Sequence, residues 1–299
     1  MSSLGASVHG RCDGVCLVDA STDAQIIWFW SPKGGTGTST VAAATAVRLA
    51  GEDRQVVLVD LDGDQPALIG LVAVEVRDHP GIGDWVTAPE VPPAALHRLR
   101  EPVAPNLCLV RLGTRSVAEL DAARRERLAE ALEVLAQPDR VVVVDAGLDP
   151  HEHRTKIAAV PVCVVRNDYL ALRAAQEVEG PFDNVVAIIE PQRGIRARDV
   201  SAALGAGHLE RVDWDPRVAR SIDAGTMVAM LPPPLLRSLG GLVGPYKQPP
   251  NTRRRPAAPA TLPPVSKDLC GADTQDGDNC RNPAPKVGEK CAAGHERER

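Results

Sequence analysis

The stretch Ser31-Pro-Lys-Gly-Gly-Thr-Gly-Thr-Ser-Thr40 decides the fold of this chain. A compact apolar run, Ile26-Ile-Trp-Phe-Trp30, precedes it, and an Ala- and Val-rich helical pattern over residues 41–50 follows it. This order of strand, glycine-rich loop and helix places consecutive backbone N–H groups and a helix N-terminus where they can bind phosphate oxygens. The sequence therefore predicts a phosphate-binding loop (P-loop) at residues 31–40.

One position of the P-loop departs from the usual pattern. Most such loops carry a lysine directly before their Ser or Thr, and its ammonium group reaches the β- and γ-phosphates of a nucleotide. This chain has Thr38 at that position. Whether the protein hydrolyses a nucleotide or only binds one therefore depends on what replaces this charge.

The alternation of apolar runs and helical patterns predicts the fold class. We expect strands at residues 25–31, 55–60, 107–111, 140–145, 160–166, 184–190 and 209–213. We expect helices at residues 38–50, 117–137, 169–179, 198–204, 216–224 and 235–243. The unbroken β-branched runs are typical of strands buried on both faces. The sequence therefore predicts an α/β, three-layer P-loop NTPase fold with a mainly parallel sheet and helices on both faces.

Composition divides the chain into four parts. We expect a loose extension at residues 1–24, the P-loop domain at 25–243, a Pro-rich linker at 244–266 and a small zinc-binding module at 267–299. No apolar run approaches the roughly 20 residues of a membrane span, and no secretory signal pattern is visible, so we expect a cytoplasmic protein. The net charge of −5 argues against a surface coated for nucleic-acid binding.

Carboxylates follow two of the expected strands. Asp60 ends the run 55–60 and Asp62 follows it closely, and Asp145 ends the run 140–145. A Mg²⁺ ion bound to nucleotide phosphates requires a loop hydroxyl, here that of Ser39, and nearby carboxylates. The alternative is that these aspartates only cap the following segments. Two such strands after a glycine-rich loop favour the magnesium interpretation.

These residues together resemble a known family. Lys33-Gly-Gly-Thr-Gly37 is similar to the deviant Walker A motif of the MinD/ParA ATPases, and the segment 212–225 is similar to a late motif of that family. The resemblance covers residues 25–243 and implies ATP and Mg²⁺ as cofactors. It also implies that Lys33 reaches the phosphates of a partner subunit in a nucleotide-dependent homodimer.

The resemblance assigns roles to residues of the predicted site. It implies Lys33 and Asp62 as catalytic residues and Ser39 as the magnesium ligand. The nucleotide-binding residues that it implies are Gly34, Gly35, Thr36, Gly37, Thr38, Ser39, Thr40, Asp60 and Asp145.

Two departures from the family pattern leave the activity open. Thr38 replaces the P-loop lysine, and Asp145-Ala-Gly147 differs from the usual Asp-x-Pro. Loss of a buried ammonium group opposite the transferred phosphoryl group would leave a slow enzyme or none. One interpretation is a nucleotide-dependent switch that a protein partner reads, acting in positioning of a chromosome, plasmid, septum or secretion machinery. The other is a catalytically dead scaffold that recruits partners through its tail.

DNA and membrane binding receive less support from the sequence. Arginines cluster at residues 193–198, 217–220 and 253–255 and allow nonspecific DNA binding, although solvated helix faces explain them equally well. The apolar segment 235–243 is short and broken by glycine, which argues against membrane targeting.

The C-terminal segment carries a second set of chemically active residues. Its pattern is Cys270-x9-Cys280-x10-Cys291-x3-His295. Three thiolates and an imidazole suit a tetrahedral zinc site, and the pattern resembles small zinc-knuckle modules. Because the segment has almost no apolar content, bound Zn²⁺ would have to supply its folding energy. The alternative is a disordered tail with incidental cysteines.

Overall fold

The computed structural model describes residues 25–71, 79–148, 157–178 and 182–243. The predicted N-terminal extension, linker and zinc module lie outside these ranges. No helix in the described ranges is long and apolar enough to cross a membrane.

An eight-stranded sheet forms the centre of the described structure. Its strands are β1 Gln25–Ser31, β2 Gln55–Asp60, β3 Glu101–Ala104, β4 Leu107–Val110, β5 Arg140–Leu148, β6 Val160–Arg166, β7 Asn184–Ile189 and β8 His208–Asp213. Their order is β3-β4-β2-β5-β1-β6-β7-β8. Only the edge strand β3 is antiparallel to its neighbour in this sheet, which confirms the mainly parallel topology.

Nine α-helices are present in the described ranges. They are α1 Thr38–Gly51, α2 Gln65–Leu68, α3 Ile82–Thr87, α4 Ala122–Leu135, α5 Tyr169–Gln176, α6 Ala197–Leu204, α7 Pro216–Asp223, α8 Pro233–Ser238 and α9 Gly240–Val243. A 3₁₀ helix at Pro93–Leu99 precedes β3.

The alternating side chains of β1 show how the sheet separates two apolar cores. Trp28 and Trp30 belong to a core that includes buried residues of α3, α4, α5 and α6. Ile27 and Phe29 point to the opposite face and belong to a core that includes residues of α1, α8 and α9. Because β1 is buried on both faces, its sequence is apolar without interruption. The predicted three-layer α/β fold is confirmed.

Several elements between residues 65 and 104 were absent from the sequence-based prediction. These are α2, α3, the 3₁₀ helix and β3, all of which are short. The β3 strand has no continuous apolar run. It pairs antiparallel with β4, and the buried Arg111, which directly follows β4, makes a further side-chain contact with it. The guanidinium group of Arg111 donates to both carboxylate oxygens of Glu101, at 2.7 and 2.9 Å.

The predicted boundaries of two helices were wrong. The helix expected at residues 117–137 begins only at Ala122, because the Asp121 side chain accepts a hydrogen bond from the Arg124 N–H at 2.8 Å and caps the helix there. The helix expected at residues 235–243 is divided into α8 and α9, with Leu239 between them.

Two glycines bring the ends of α2 and α7 into backbone contact. Gly70 has a φ of +82°, and a Cβ atom there would overlap the carbonyl oxygen of Gly225. Gly225 lies one residue after the end cap of α7 and also has a positive φ, of +62°. This close approach requires glycine at position 70, both for its backbone conformation and for space.

We expect Gly70→Ala to lower the free energy of unfolding by about 2 to 4 kcal/mol, because it combines a strained backbone conformation with overpacking. Gly51→Ala is the matched control. Gly51 ends α1, and a Cβ atom added there would meet no atom within 4 Å, so this change should be neutral or stabilise by up to about 1 kcal/mol. Urea denaturation measures both variants, and equal stabilities would contradict the close contact.

Candidate functional site

The P-loop turns sharply into α1 at Gly37. This residue has a φ of +98°, which favours glycine, and its carbonyl oxygen accepts the first helical hydrogen bond from the Val41 N–H at 2.9 Å. No side chain of the described residues caps this helix end. The N–H groups of the first turn therefore remain available to an anion, which is the arrangement that phosphate binding requires.

Hydroxyl groups fix the shape of the loop. The Thr36 and Thr38 hydroxyls lie 3.1 Å apart and are hydrogen-bonded, and both residues are buried. The Ser31 hydroxyl lies 3.0 Å from the Lys33 carbonyl oxygen and 3.3 Å from that of Gly147, so it ties the loop to the end of β5. Thr38 thus has a structural contact within the loop, but it brings no charge to it.

Asp60 organises the segment that follows β2. One of its carboxylate oxygens accepts hydrogen bonds from the N–H groups of Asp62, at 3.1 Å, and Gly63, at 2.7 Å. The other accepts from the Gln65 N–H at 3.2 Å. Asp60 is completely buried, and these bonds hold the turn that leads into α2. Its predicted contact with a nucleotide or its metal stays a prediction.

Gln65 connects the P-loop helix with the end of β5. Its amide nitrogen donates to the Asp145 carboxylate at 2.7 Å and to the Ser39 carbonyl oxygen at 2.9 Å. The Asp145 carboxylate also accepts hydrogen bonds from the Ser39 hydroxyl and from the Gly147 N–H. The predicted residues Ser39 and Asp145 are therefore in contact. Gln65, which sequence reasoning missed, fixes their relative position by donating hydrogen bonds to both residues.

Two buried carboxylates lie side by side at this point. Asp60 and Asp145 are paired across the neighbouring strands β2 and β5, and both side chains are fully buried. Burial raises the pKa of Asp60 to about 7, and the charge of Asp145 contributes to this rise. Burial likewise raises the pKa of Asp145 to about 6, although the hydrogen bonds from Gln65 and Ser39 oppose the rise. No positively charged side chain among the described residues is paired with these two carboxylates, so a bound cation would favour their ionised form.

A polar pocket of about 610 Å³, the phosphate pocket, is lined by Ser39, whereas the buried residues Asp60 and Asp145 do not line it. Its lining from the P-loop is Ser31, Gly34, Gly35, Gly37, Thr38, Ser39 and Thr40. The rest of its lining is Asp62, Asp64, Ala67, Leu68, Gly147, Leu148 and Ile222. Most of the predicted phosphate-binding residues therefore share one pocket, together with the predicted catalytic residue Asp62.

A second, mainly apolar pocket of about 220 Å³, the apolar pocket, adjoins the first. Its apolar lining includes Val41, Ile188, Val212, Val218 and Ile222, and Trp214 and Arg166 also line it. Thr36 belongs to this pocket, and Gly35, Gly37, Thr40 and Ile222 line both pockets. A polar pocket joined to an apolar one matches the phosphate chain and the base of a nucleotide.

Two sets of predicted residues lie elsewhere. Lys33 is half-buried at the start of the loop, where its ammonium group lies 3.5 Å from the Gly34 carbonyl oxygen, and it lines neither pocket. The four predicted zinc ligands, Cys270, Cys280, Cys291 and His295, lie outside the described residues. Arg166 was missed because it lies far from the P-loop in sequence, and only the sheet order brings it there. Trp214 belongs to the segment 212–225, which the sequence resemblance had already singled out.

The donor set at Ser39 fits a magnesium ion that is held mostly by phosphate and water. Ser39 offers a hydroxyl oxygen, Asp145 lies directly behind it, and Asp62 faces the same pocket. Within the part of the chain that the structure describes, no group of three or more His, Cys, Asp or Glu residues could hold a metal by itself. Mg²⁺ commonly takes only one or two protein ligands and completes its shell with phosphate oxygens and water.

Known structures share this fold. A ParA family ATPase from Chlorobium tepidum TLS superposes with a TM-score of 0.53 and 20% identity, covering 69% of this chain and 90% of that one. MinD in the MinC:MinD cell division complex of Aquifex aeolicus gives 0.56 and 18%, covering 75% and 99%. MinD of Pyrococcus horikoshii OT3, complexed with Mg-ADP, gives 0.50 and 17%, covering 72% and 95%.

The similarity to these proteins is one of fold. No family model matches the sequence, and no curated protein matches it either. The structural neighbours are MinD and ParA ATPases, as the sequence resemblance predicts, and they match this chain along nearly their whole length.

The buried carboxylate pair makes stability depend on pH. Without Mg²⁺, we expect the free energy of unfolding to fall as the pH rises from about 5 to about 8. The pKa of Asp60, about 7, and that of Asp145, about 6, are raised above the ordinary value of 3.8. Between these values the folded protein holds protons that the unfolded chain has released, so the stabilisation present at low pH is lost as the pH passes the raised pKa values.

Urea denaturation in EDTA at pH 5, 6.5 and 8 measures this dependence. Asp145→Asn should reduce the slope, because it removes one of the two titrating groups. Asp139→Asn, at an exposed aspartate just before β5, is the control and should leave the slope unchanged. A stability that rises across this pH window would show that the pair is ionised in the folded protein.

Proposed function

We propose that this protein is a nucleotide-binding switch that binds ATP with Mg²⁺ and acts in intracellular positioning or partitioning. One observation carries the proposal. The uncapped N-terminus of α1, the Ser39 hydroxyl and the buried pair Asp60 and Asp145 all meet beside the phosphate pocket. This arrangement suits a magnesium-bound phosphate chain, and the adjoining apolar pocket suits a base.

Each part of the site has a role in this proposal. The N–H groups of the P-loop and of α1 bind the phosphates, and the apolar pocket takes the base between Val212 and Ile222. Ser39 and the carboxylates of Asp62 and Asp145 hold the Mg²⁺ ion, directly or through water. When bound, Mg²⁺ neutralises phosphate charge and so makes an acidic site accept an anion. The Mg-ADP of the Pyrococcus horikoshii neighbour supports this choice of ligand.

A second copy of the chain would complete the site. Leu148 lines the phosphate pocket with 60% of its surface exposed, and Tyr169 and Leu170, at the start of α5, are also mostly exposed. Leu148 is the last residue of β5, and Tyr169 and Leu170 follow β6, so all three lie at the carboxyl edge of the sheet. Lys33 is half-buried and makes one long contact, so it is available to bind phosphates of the partner subunit. We propose a nucleotide-dependent homodimer whose state a further protein reads, as the MinC:MinD complex suggests.

The C-terminal segment has its own part in the proposal. We propose that Cys270, Cys280, Cys291 and His295 bind Zn²⁺ and that this module carries partner or DNA contacts to the switch. The proposal rests on the number and type of these four residues in a cysteine-poor chain.

We expect ATP with Mg²⁺ to raise the melting temperature and shift the protein from monomer to dimer, and we expect EDTA to abolish both effects. Binding without Mg²⁺ should fail because Asp62 and Asp64 repel the phosphates. Ser39→Ala should weaken binding of Mg-ATP by about tenfold or more, because it removes the metal ligand. Thermal unfolding and light scattering provide the measurements.

Ser116→Ala is the matched control for Ser39→Ala. Ser116 is exposed, and its hydroxyl accepts only from the nearby Ala118 N–H in a loop away from both pockets. This variant should bind Mg-ATP like the wild type. If Mg-ATP changes neither the melting temperature nor the oligomeric state, the proposed function is wrong.

We expect slow ATP turnover that Lys33→Ala abolishes and Thr38→Lys accelerates by at least about tenfold, which is about 1.4 kcal/mol of transition-state stabilisation. Thr38 lines the phosphate pocket, so a lysine there can reach the bound phosphates. Steady-state phosphate release measures all three proteins. Turnover that is absent in the wild type and appears only in Thr38→Lys would instead support the catalytically dead scaffold.

A further inference from the structure

The two pockets of the proposed nucleotide site contain little positive charge. Asp62 and Asp64 line the phosphate pocket, and Asp213 and Asp215 line the apolar pocket. Among the described residues that line either pocket, Arg166 is the one lysine or arginine. Thr38 is uncharged, and Lys33 lies outside both pockets. Among the described residues, Arg166 is therefore the basic side chain that a single subunit contributes to the two pockets.

Arg166 is held against the outer side of the P-loop. It ends β6, the strand next to β1, so the sheet order places it beside the loop. Its Nη1 atom donates to the Gly35 carbonyl oxygen at 3.3 Å, and its Nη2 atom is paired with Glu190. Its Nε atom is buried and has no hydrogen-bond partner among the described residues. A guanidinium group has five N–H donors, so donors remain for a ligand beside Gly35.

The charge of Arg166 is not cancelled by its partner. Glu190 is shared between Arg166 and Arg193, whose Nε atom lies 2.6 Å from it. One carboxylate thus faces two guanidinium groups, which leaves a net positive charge on the cluster. Arg193 is more exposed and lines neither pocket, whereas Arg166 lines the apolar pocket next to the loop. Of the two guanidinium groups in this cluster, that of Arg166 therefore lies beside the apolar pocket, where a nucleotide would bind.

A nucleotide that fills both pockets must cross the strip that they share. The strip consists of Gly35, Gly37, Thr40 and Ile222, and the guanidinium group of Arg166 donates a hydrogen bond to the carbonyl oxygen of Gly35. The part of a nucleotide that lies there joins the base to the phosphate chain, and it carries the α-phosphate. We propose that Arg166 binds the nucleotide at its α-phosphate and supplies, within the subunit, positive charge that the P-loop lacks at Thr38. This inference rests on the proposed function.

Arg166→Gln tests the contact, with Arg193→Gln as the matched control that alters the same Glu190 cluster. Calorimetry in Mg²⁺ should show ATP, ADP and AMP binding to Arg166→Gln weakened by a similar factor of about ten or more, because all three carry the α-phosphate. Arg193→Gln should change these affinities less than about twofold. Arg166→Lys should recover part of the affinity, since it keeps the charge but not the paired donors.

Salt dependence separates a phosphate contact from a merely structural role of Arg166. The affinity of the wild type for ADP should fall with rising NaCl more steeply than that of Arg166→Gln, because the ion pair is screened. Unchanged affinity in Arg166→Gln, an equal loss in Arg193→Gln, or an unchanged salt dependence would each overturn this inference while leaving nucleotide binding intact. Failure of the wild type to bind any of the three nucleotides would overturn the proposed function together with it.

Discussion

The buried network of Asp60, Gln65, Asp145 and Ser39 is the interaction on which the rest of the site depends. It joins the ends of β2 and β5 to the first turn of α1 through hydrogen bonds of 2.7 to 3.2 Å. Gln65 occupies its place because Asp60 holds the turn before α2, and Ser39 occupies its place because Gln65 and Asp145 both bind it. The geometry of the P-loop is therefore set by a polar cluster in which the side chains of Asp60, Gln65 and Asp145 are fully buried, and Ser39 connects it to the phosphate pocket. In a low-dielectric interior, such a network is rigid when it is satisfied and costly when it is not.

The same network explains why the site needs a cation. Burial is the main reason why the pKa values of both carboxyl groups are raised, and the charge of Asp145 adds to the rise at Asp60. A P-loop lysine would ordinarily bring a positive charge close to such acids, and Thr38 brings none. Under the proposed function, Mg²⁺ that arrives with a nucleotide would have two effects, since it would neutralise the phosphates and also the negative charge of the buried acids. Nucleotide binding and the ionisation of the site would be coupled for this reason.

Sequence reasoning found the parts of the fold that repeat a strong local pattern. The seven parallel strands were found because runs such as that of β1 are apolar throughout, and the P-loop was found because its glycines and its place between strand and helix are distinctive. The edge strand β3 was missed because it is four residues long and has no apolar run, and its pairing with β4 and the ion pair between Arg111 and Glu101 are tertiary contacts. In the site, Ser39 and Asp145 were predictable from their motifs, whereas Gln65 and Arg166 were not. Their roles arise from the strand order and from tertiary hydrogen bonds, neither of which has a local signature.

The distribution of positive charge decides whether this fold acts as an enzyme or as a switch. A lysine at the position of Thr38 would contact phosphates bound to its own subunit, both in a monomer and in a dimer. Here the available cations are Lys33, which is free to reach outward, and Arg166, which is bonded to the Gly35 carbonyl on the base side of the loop. If Arg166 binds the α-phosphate as proposed, its charge is present before and after loss of the γ-phosphate, so it would stabilise bound nucleotide without accelerating hydrolysis. Charge at the γ-phosphate would then come from a partner subunit. Such a division would make binding a property of one chain and turnover a property of the pair, which is what a protein that signals through its nucleotide-bound state requires.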